Sequence, residues 1–137
     1  MKRTIGIAIF AATLGMALSN ASAQSKSTAT IPFNFRVGSA LMPAGAYTIE
    51  YTQPKVVWFR SLDGHETALA LATTATGDAV PPAKLVFRKY GNQYFLSETR
   101  TSSNQSEMTF APSRLEKSIR SEEASRRDEG QILVALK

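Results

Sequence analysis

The sequence predicts a mainly β fold, an antiparallel meander of about seven strands that forms a sandwich or a partly closed barrel. Short runs of alternating apolar and polar residues recur from Ile31 to Phe110, and two Gly-containing dipeptides separate such runs at hairpin spacing. No helical pattern precedes Ser113. One charged helix, near residues 113–128, and a final strand, near residues 131–136, complete the prediction.

Residues 1–23 have the three-part pattern of a secretory signal peptide. Two basic residues precede an uncharged apolar run at 5–18, and small residues lead to Ala23. The run is shorter than the about 20 apolar residues that a membrane-spanning helix needs. We therefore expect cleavage between Ala23 and Gln24, export to the periplasm or secretion, and no membrane insertion once the signal is removed.

The remainder of the chain is interpreted as one domain. Residues 24–30 are small and polar and are expected to be a disordered leader, whereas residues 31–137 should form a single β-rich domain that includes the helix and the last strand. The chain has no cysteine, so its stability must come from the core. Removal of Lys2 and Arg3 lowers the formal net charge from +5 to +3, which leaves the exported chain only mildly basic.

The first two predicted strands flank a turn that contains proline and glycine. Apolar and polar residues alternate over 33–37 and again over 47–51, and Pro43 and Gly45 suit the turn between the two runs. We predict that these strands pair with each other, and that Phe35 lies in the core.

A hairpin is predicted around Asp63–Gly64, between strands at 56–62 and 66–73. This turn should place four residue pairs opposite each other: Trp58 and Leu69, Val56 and Leu71, Val57 and Ala70, and Phe59 and Ala68. Because both faces are apolar, the hairpin should lie centrally in the sheet, and its alanines should admit a close neighbour.

A second hairpin is predicted around Gly91–Asn92, between strands at 84–90 and 93–100. A short strand at Met108–Phe110 should follow it. The turn of this hairpin should place Phe87 opposite Leu96 and Lys89 opposite Tyr94.

Ser113 and Glu116 form a capping-box pattern at the start of the predicted helix, and Gly130 is expected to end it. Glutamate and arginine recur at i, i+4 spacing in the order that stabilises a helix. The apolar stripe is thin, so the helix should dock only lightly, through its first half; the stripe consists of Leu115 and Ile119 with Ala124.

The segments PFNFRVG…MPAGAYTI and KLVFRKYGNQYFLSE resemble a family of small exported bacterial proteins with no assigned function. That family combines a PFxFxVG opening, an LPAGxYxI turn and strand, and a YGxxYFL hairpin. The resemblance covers most of the chain after residue 23, and Met42 stands where the family pattern has leucine. It implies export and a β-rich domain, and it implies no catalytic residues.

The titratable residues do not have the spacing of a known catalytic or metal site. His65 directly follows the Asp63–Gly64 turn, and we interpret it as a solvated turn residue rather than a general base. Asp63 and Glu66 are interpreted as turn residues rather than ligands of a cation. Glu50 and Glu98 lie on predicted strands and have the chemistry of a glycosidase pair, although strand glutamates commonly face solvent.

The aromatic residues are the most ambiguous signal. They supply the core of a disulfide-free β domain, or they line a barrel mouth that binds apolar ligands or sugars. We favour the core; the residues for which a ligand role is most open are Tyr47, Trp58 and Tyr94.

Together these patterns favour an exported, non-catalytic binding or structural module of the bacterial cell envelope, which acts on an envelope protein through an exposed sheet edge. The alternative is a lipocalin-like carrier of a small apolar ligand inside the curl of the sheet, and a hydrolase that uses carboxylates alone is a third. We expect no enzyme activity, no cofactor and no metal. The absence of a long basic stripe argues against nucleic-acid binding.

Overall fold

The computed structural model describes residues 25–52, 55–76, 83–100, 106–124 and 129–137. These residues form ten strands and one helix, so the predicted mainly β class is confirmed. The predicted signal peptide and its cleavage site lie outside the described residues. The elements are β1 (Ser25–Ile31), β2 (Phe35–Val37), β3 (Ala40–Met42), β4 (Gly45–Thr52), β5 (Val56–Ser61), β6 (Thr67–Thr76), β7 (Lys84–Tyr90), β8 (Gln93–Arg100), β9 (Ser106–Phe110), α1 (Arg114–Glu123) and β10 (Glu129–Ala135).

The strands form one curled sheet that is not closed. Its main path runs in the order β1, β4, β5, β6, β9, β8, β7 and β10, with every pairing antiparallel. The β2–β3 hairpin branches from β8, where β2 pairs in parallel at Arg36 and Phe95. The curl brings β1 and β10, the two ends of the path, close together.

The prediction of a disordered leader at 24–30 is wrong for residues 25–30, because they form β1 and pair with β4. The segment is polar, yet it alternates: Ala29 and Ile31 are buried, and Thr28 and Thr30 are exposed. Most of the side chains that alternate between buried and exposed positions here are small, so the hydrophobicity of the segment does not by itself reveal the strand.

The predicted pairing of 33–37 with 47–51 is also wrong. The chain turns at Gly38 and Ser39 and forms the β2–β3 hairpin, and Gly38 has a φ of 61° that favours glycine in such a turn. The Pro43–Gly45 segment is a corner rather than a hairpin turn. At this corner the Ala44 amide donates to the side-chain oxygen of Asn34 over 2.9 Å.

Both long hairpins have the predicted register. The pairs Trp58–Leu69, Val56–Leu71, Val57–Ala70 and Phe59–Ala68 are confirmed in β5 and β6, as are Phe87–Leu96 and Lys89–Tyr94 in β7 and β8. The β5–β6 hairpin is central, between β4 and β9. Gly64 and Gly91 have φ values of 78° and 57°, as their tight turns require.

The helix begins where the capping pattern predicts and ends earlier. The Ser113 hydroxyl accepts a hydrogen bond from the Glu116 amide over 3.1 Å, and α1 ends at Glu123. Gly130 lies in β10, so it does not end the helix, and residues 125–128 of the predicted helix lie outside the described residues. The final strand is confirmed, and it pairs with β7.

The core lies inside the curl and is built from aromatic and branched side chains. Phe35 makes edge-to-face contacts with Tyr47 and Phe87, with ring centroids 5.2 and 5.5 Å apart. The largest fully buried apolar side chains are Tyr47, Tyr90, Phe35, Phe59, Phe87, Phe95, Ile31, Met42, Ile49, Leu85 and Val57. Of these, Tyr90 and Phe95 belong to the outer face of β7 and β8, next to α1.

A buried hydroxyl pair joins β4 to β8 through the core: the Tyr51 and Thr99 oxygens lie 2.7 Å apart. Burial raises the pKa of Tyr51 from 10.0 to about 12. Because the folded pKa exceeds the unfolded one, the contribution of Tyr51 to stability is complete below the unfolded pKa and is lost as the pH rises through the folded pKa.

We expect Tyr51→Phe to lower the free energy of unfolding by about 1 kcal/mol at neutral pH, because Thr99 loses its buried partner. The variant should also lose less stability than the parent between pH 10.0 and about 12. Urea unfolding at both ends of this range measures the two effects. Tyr94→Phe is the matched control, and an alkaline loss that is the same in the parent and in Tyr51→Phe would contradict the assignment.

Candidate functional site

The place where the two ends of the sheet meet is the first candidate site, and we call it the seam. Thr28 of β1 and Lys137, just after β10, exchange two backbone hydrogen bonds of 2.9 Å. The Thr28 hydroxyl also lies 3.4 Å from the Lys137 carbonyl oxygen. In an antiparallel ladder this exchange defines a register, and the next pair in that register is Thr30 with Ala135.

Among the described residues, this is the one residue pair that exchanges backbone hydrogen bonds across the seam. Within the described part of the chain, β1 pairs with β4 alone and β10 with β7 alone. Leu136 donates its backbone N–H to Ala83 over 3.0 Å, so the backbone groups of Ala135 point toward the seam, as those of Lys137 do. The backbone groups of Thr30 also point toward the seam, because alternate residues of a strand have the same orientation and Thr28 faces the seam. The seam therefore presents main-chain donors and acceptors from both of its strands.

A cleft of about 350 Å³ lies along the seam. Its wall is made of small and apolar side chains with one cation, Lys137. No aspartate or glutamate side chain lines it. The lining residues are Thr28, Ala29, Thr30, Ala46, Leu62, Val134, Ala135 and Lys137.

The outer face of the β5–β6 hairpin is the second candidate, and we call it the outer stripe: Val56, Trp58, Leu69 and Leu71. Leu69 is 47% exposed and Leu71 is 71% exposed, while Trp58 is half-buried. The inner face of the same hairpin is buried, through Val57, Phe59 and three alanines. The sequence has apolar residues on both faces of this hairpin, but in the folded chain only the inner face is buried. An exposed apolar patch on a folded chain is typical of interaction surfaces.

Leu71→Ser should change the free energy of unfolding by less than about 0.5 kcal/mol, because the side chain is already in water. Val57→Ala, on the inner face of the same hairpin, should cost about 1.5 kcal/mol. Chemical denaturation of both variants checks this contrast. A large loss for Leu71→Ser would mean that the outer stripe is covered in the folded protein.

The Asp63–Gly64 turn holds His65, Asp63 and Glu66 at the surface. Asp63 accepts hydrogen bonds from the Ser61 hydroxyl and from the His65 amide. The Ser61 hydroxyl contributes most to lowering the pKa of Asp63, and the His65 amide adds to it. The Glu66 amide in turn donates to the Ser61 hydroxyl over 2.9 Å. The Asp63 and Ser61 side chains therefore build the turn, together with the backbone amides of His65 and Glu66.

Glu50 and Glu98 each have a basic partner. Glu50 lies 3.5 Å from Lys26, across the β1–β4 pair. Glu98 lies 3.0 Å from Arg100, which also reaches Glu107 at 3.5 Å. Each carboxylate thus belongs to a local ion pair on its own region of the sheet.

The three ambiguous aromatic residues have three different environments. Tyr47 is buried, and its hydroxyl donates to the Pro43 carbonyl over 2.6 Å, which ties β4 to the preceding corner. Tyr94 stacks on Phe33 with ring centroids 4.1 Å apart, at the margin of the core. Trp58 lies in the outer stripe. Of the three, only Trp58 belongs to a candidate interaction surface.

A buried ionic cluster fastens α1 to the sheet. Glu116 is 3% exposed; its Oε1 lies 3.0 Å from Arg88 Nε and accepts a hydrogen bond from the Tyr90 hydroxyl over 3.2 Å. The Nε–H of Arg88 is not aligned for a hydrogen bond, so that contact is purely ionic. Burial raises the pKa of Glu116, and Arg88 partly offsets this. Of the stripe predicted to dock the helix, Leu115 and Ala124 are exposed and Ile119 is half-buried. The one buried side chain of α1 is that of Glu116.

The described residues show neither a metal-binding cluster nor a membrane-spanning helix. They contain no cluster of three or more histidine, aspartate or glutamate side chains arranged to bind a metal ion. They also contain no helix of the length and hydropathy needed to cross a bilayer.

Comparison with known proteins finds no match: no family model fits the chain, and neither a curated protein nor a solved structure is detectably similar to it.

Proposed function

We propose that this chain is an exported, non-catalytic binding or structural module of the bacterial cell envelope that engages a partner protein through an open edge of its sheet. The observation that carries the proposal is the seam, where, among the described residues, β1 and the segment that follows β10 are joined by the backbone pair Thr28 and Lys137. Unpaired strand edges recruit extended segments of other proteins. The outer stripe adds exposed apolar surface on the same sheet.

The environment of the aromatic residues also supports a module. Phe35, Tyr47, Phe59 and Phe87 occupy the interior of the curl and contact each other or other core rings. These side chains therefore fill space that a carrier would leave for its ligand. The signal-peptide pattern and the resemblance to exported proteins support the envelope as the place of action.

A carrier of a small apolar molecule is the second candidate, and the cleft favours it. About 350 Å³ lies within the range of small-molecule sites, and most of its lining is apolar. The cleft lies at the seam rather than in the centre of the curl. A carbohydrate hydrolase has less support, because Glu50 and Glu98 are engaged in separate ion pairs.

Native mass spectrometry of the protein purified from its own host's envelope tests these alternatives together. The module predicts a complex with a second polypeptide and no bound small molecule. A stoichiometric apolar ligand of low mass would favour the carrier. Turnover of glycosides or esters by the purified protein, abolished by Glu98→Gln, would overturn the non-catalytic assignment.

A further inference from the structure

We infer that the seam edge of β1 is the docking site and that its occupant is an extended peptide segment of a partner protein, added antiparallel to β1 in place of Lys137. This inference rests on the proposed function and names the part of the sheet that performs it. Main-chain groups rather than side chains distinguish the seam from the surface around it.

Three backbone positions of β1 face the seam. Thr28 bonds to Lys137 across the seam, so the backbone groups of Lys26 and Thr30 point to the same side by the alternation of the ladder. Neither has a seam-side backbone partner among the described residues. A strand that paired along the whole edge would bond to three residues, Lys26, Thr28 and Thr30; among the described residues, Lys137 bonds to Thr28.

Lys137 already pairs with β1 in the way that we expect of the incoming peptide. It approaches β1 antiparallel and forms both hydrogen bonds of one residue pair. An incoming peptide therefore exchanges two existing hydrogen bonds for a longer ladder. In such strand addition, main-chain hydrogen bonds provide the affinity, and contacts between the side chains of the peptide and the walls of the cleft provide the selectivity.

The walls of the cleft are made mostly of small and apolar side chains. Ala29, Ala46 and Ala135 leave room for apolar side chains of the peptide, and Val134 and Leu62 provide apolar contact. Lys137 has the single charged side chain among the eight residues that line the cleft, and its ammonium group favours an acidic peptide side chain beside it over a basic one. An uncharged or acidic peptide fits this surface better than a basic one.

The test uses the chain from residue 24 to 137 and three capped peptides. The first copies residues 131–137 with its final lysine replaced by glutamate, the second keeps the lysine, and the third is the first with alternate backbone nitrogens methylated. Titration followed by amide chemical shifts and hydrogen exchange should show saturable binding of the first, with changes at residues 26–31. The lysine peptide should bind about threefold more weakly. The methylated peptide should not bind, because it lacks the donors of the ladder.

Two pairs of variants locate the site. Thr30→Pro removes a seam-facing N–H and spares the bonds to β4, so it should weaken binding about fivefold, whereas Thr30→Val should not. Lys137→Pro removes the donor of the competing pair and should strengthen binding about fivefold. Lys137→Ala keeps that donor and should abolish only the preference for the acidic peptide.

The inference is overturned if no peptide binds, if the methylated peptide binds as well as its parent, or if the shifts centre on Trp58 and Leu71. Association of the free protein with itself through β1, seen by sedimentation and abolished by Thr30→Pro, would replace the partner peptide with a second copy. An envelope partner that binds Thr30→Pro as well as the parent would refute the seam and leave the proposed function standing. A small ligand in place of any partner would refute the proposed function.

Discussion

Phe35→Ala is expected to lower the free energy of unfolding by about 3 kcal/mol. Phe35 is 1% exposed and contacts the rings of Tyr47 and Phe87, which belong to strands on different parts of the path. Truncation removes both ring contacts and leaves a cavity that the rigid sheet closes only in part. Because β2 and β3 branch from the sheet through short pairings, this ring is a main anchor of that hairpin.

Leu41→Ala is the control for Phe35→Ala, since Leu41 lies on the same hairpin and is exposed. It should change stability by less than about 0.5 kcal/mol. Thermal and urea unfolding measure both variants. An unchanged melting temperature for Phe35→Ala, together with loss of binding to a partner, would show that this segment is a recognition surface instead of core.

Glu116→Ala is expected to cost about 3 kcal/mol at neutral pH, because it removes one member of a buried ion pair. Arg88 would lose its ionic partner and keep its bond to the Phe110 carbonyl, and the hydrogen bond from the Tyr90 hydroxyl to Glu116 would be lost. Glu122→Ala, at an exposed position of the same helix, is the control. Urea unfolding followed by circular dichroism measures the loss. A cost within about 0.5 kcal/mol of the control would mean that α1 does not depend on this cluster.

The same carboxyl group predicts a pH dependence of known sign. Burial raises the folded pKa of Glu116 above its ordinary value of 4.5, so its contribution to stability is complete below that value and is lost as the pH rises through the folded pKa. Glu116→Gln cannot titrate at this position. The parent should therefore gain stability relative to Glu116→Gln as the pH falls from neutral toward 4.5. A stability difference that is constant across this range would contradict the raised pKa.

The sequence by itself determined the register of the two long hairpins, β5–β6 and β7–β8. Asp63–Gly64 and Gly91–Asn92 each allow a tight turn, and a tight turn sets the register of the two strands that it joins. The Ser113 cap was likewise visible, because its bond to Glu116 involves residues of the same turn. In each case the deciding residues are close in the chain, so no knowledge of distant partners is needed.

Only the tertiary structure decided the pairings between distant segments. The polar residues of β1 become a strand because the edge of β4 is available to them, and the seam exists because the curl brings Lys137 to Thr28. The burial of Glu116 depends in the same way on Arg88 and Tyr90 of β7. Composition and periodicity describe which face of a segment is apolar, but they do not state which edge or side chain it will meet. The candidate site consists of contacts between residues that are far apart in the sequence, and so it could be identified only in the folded chain.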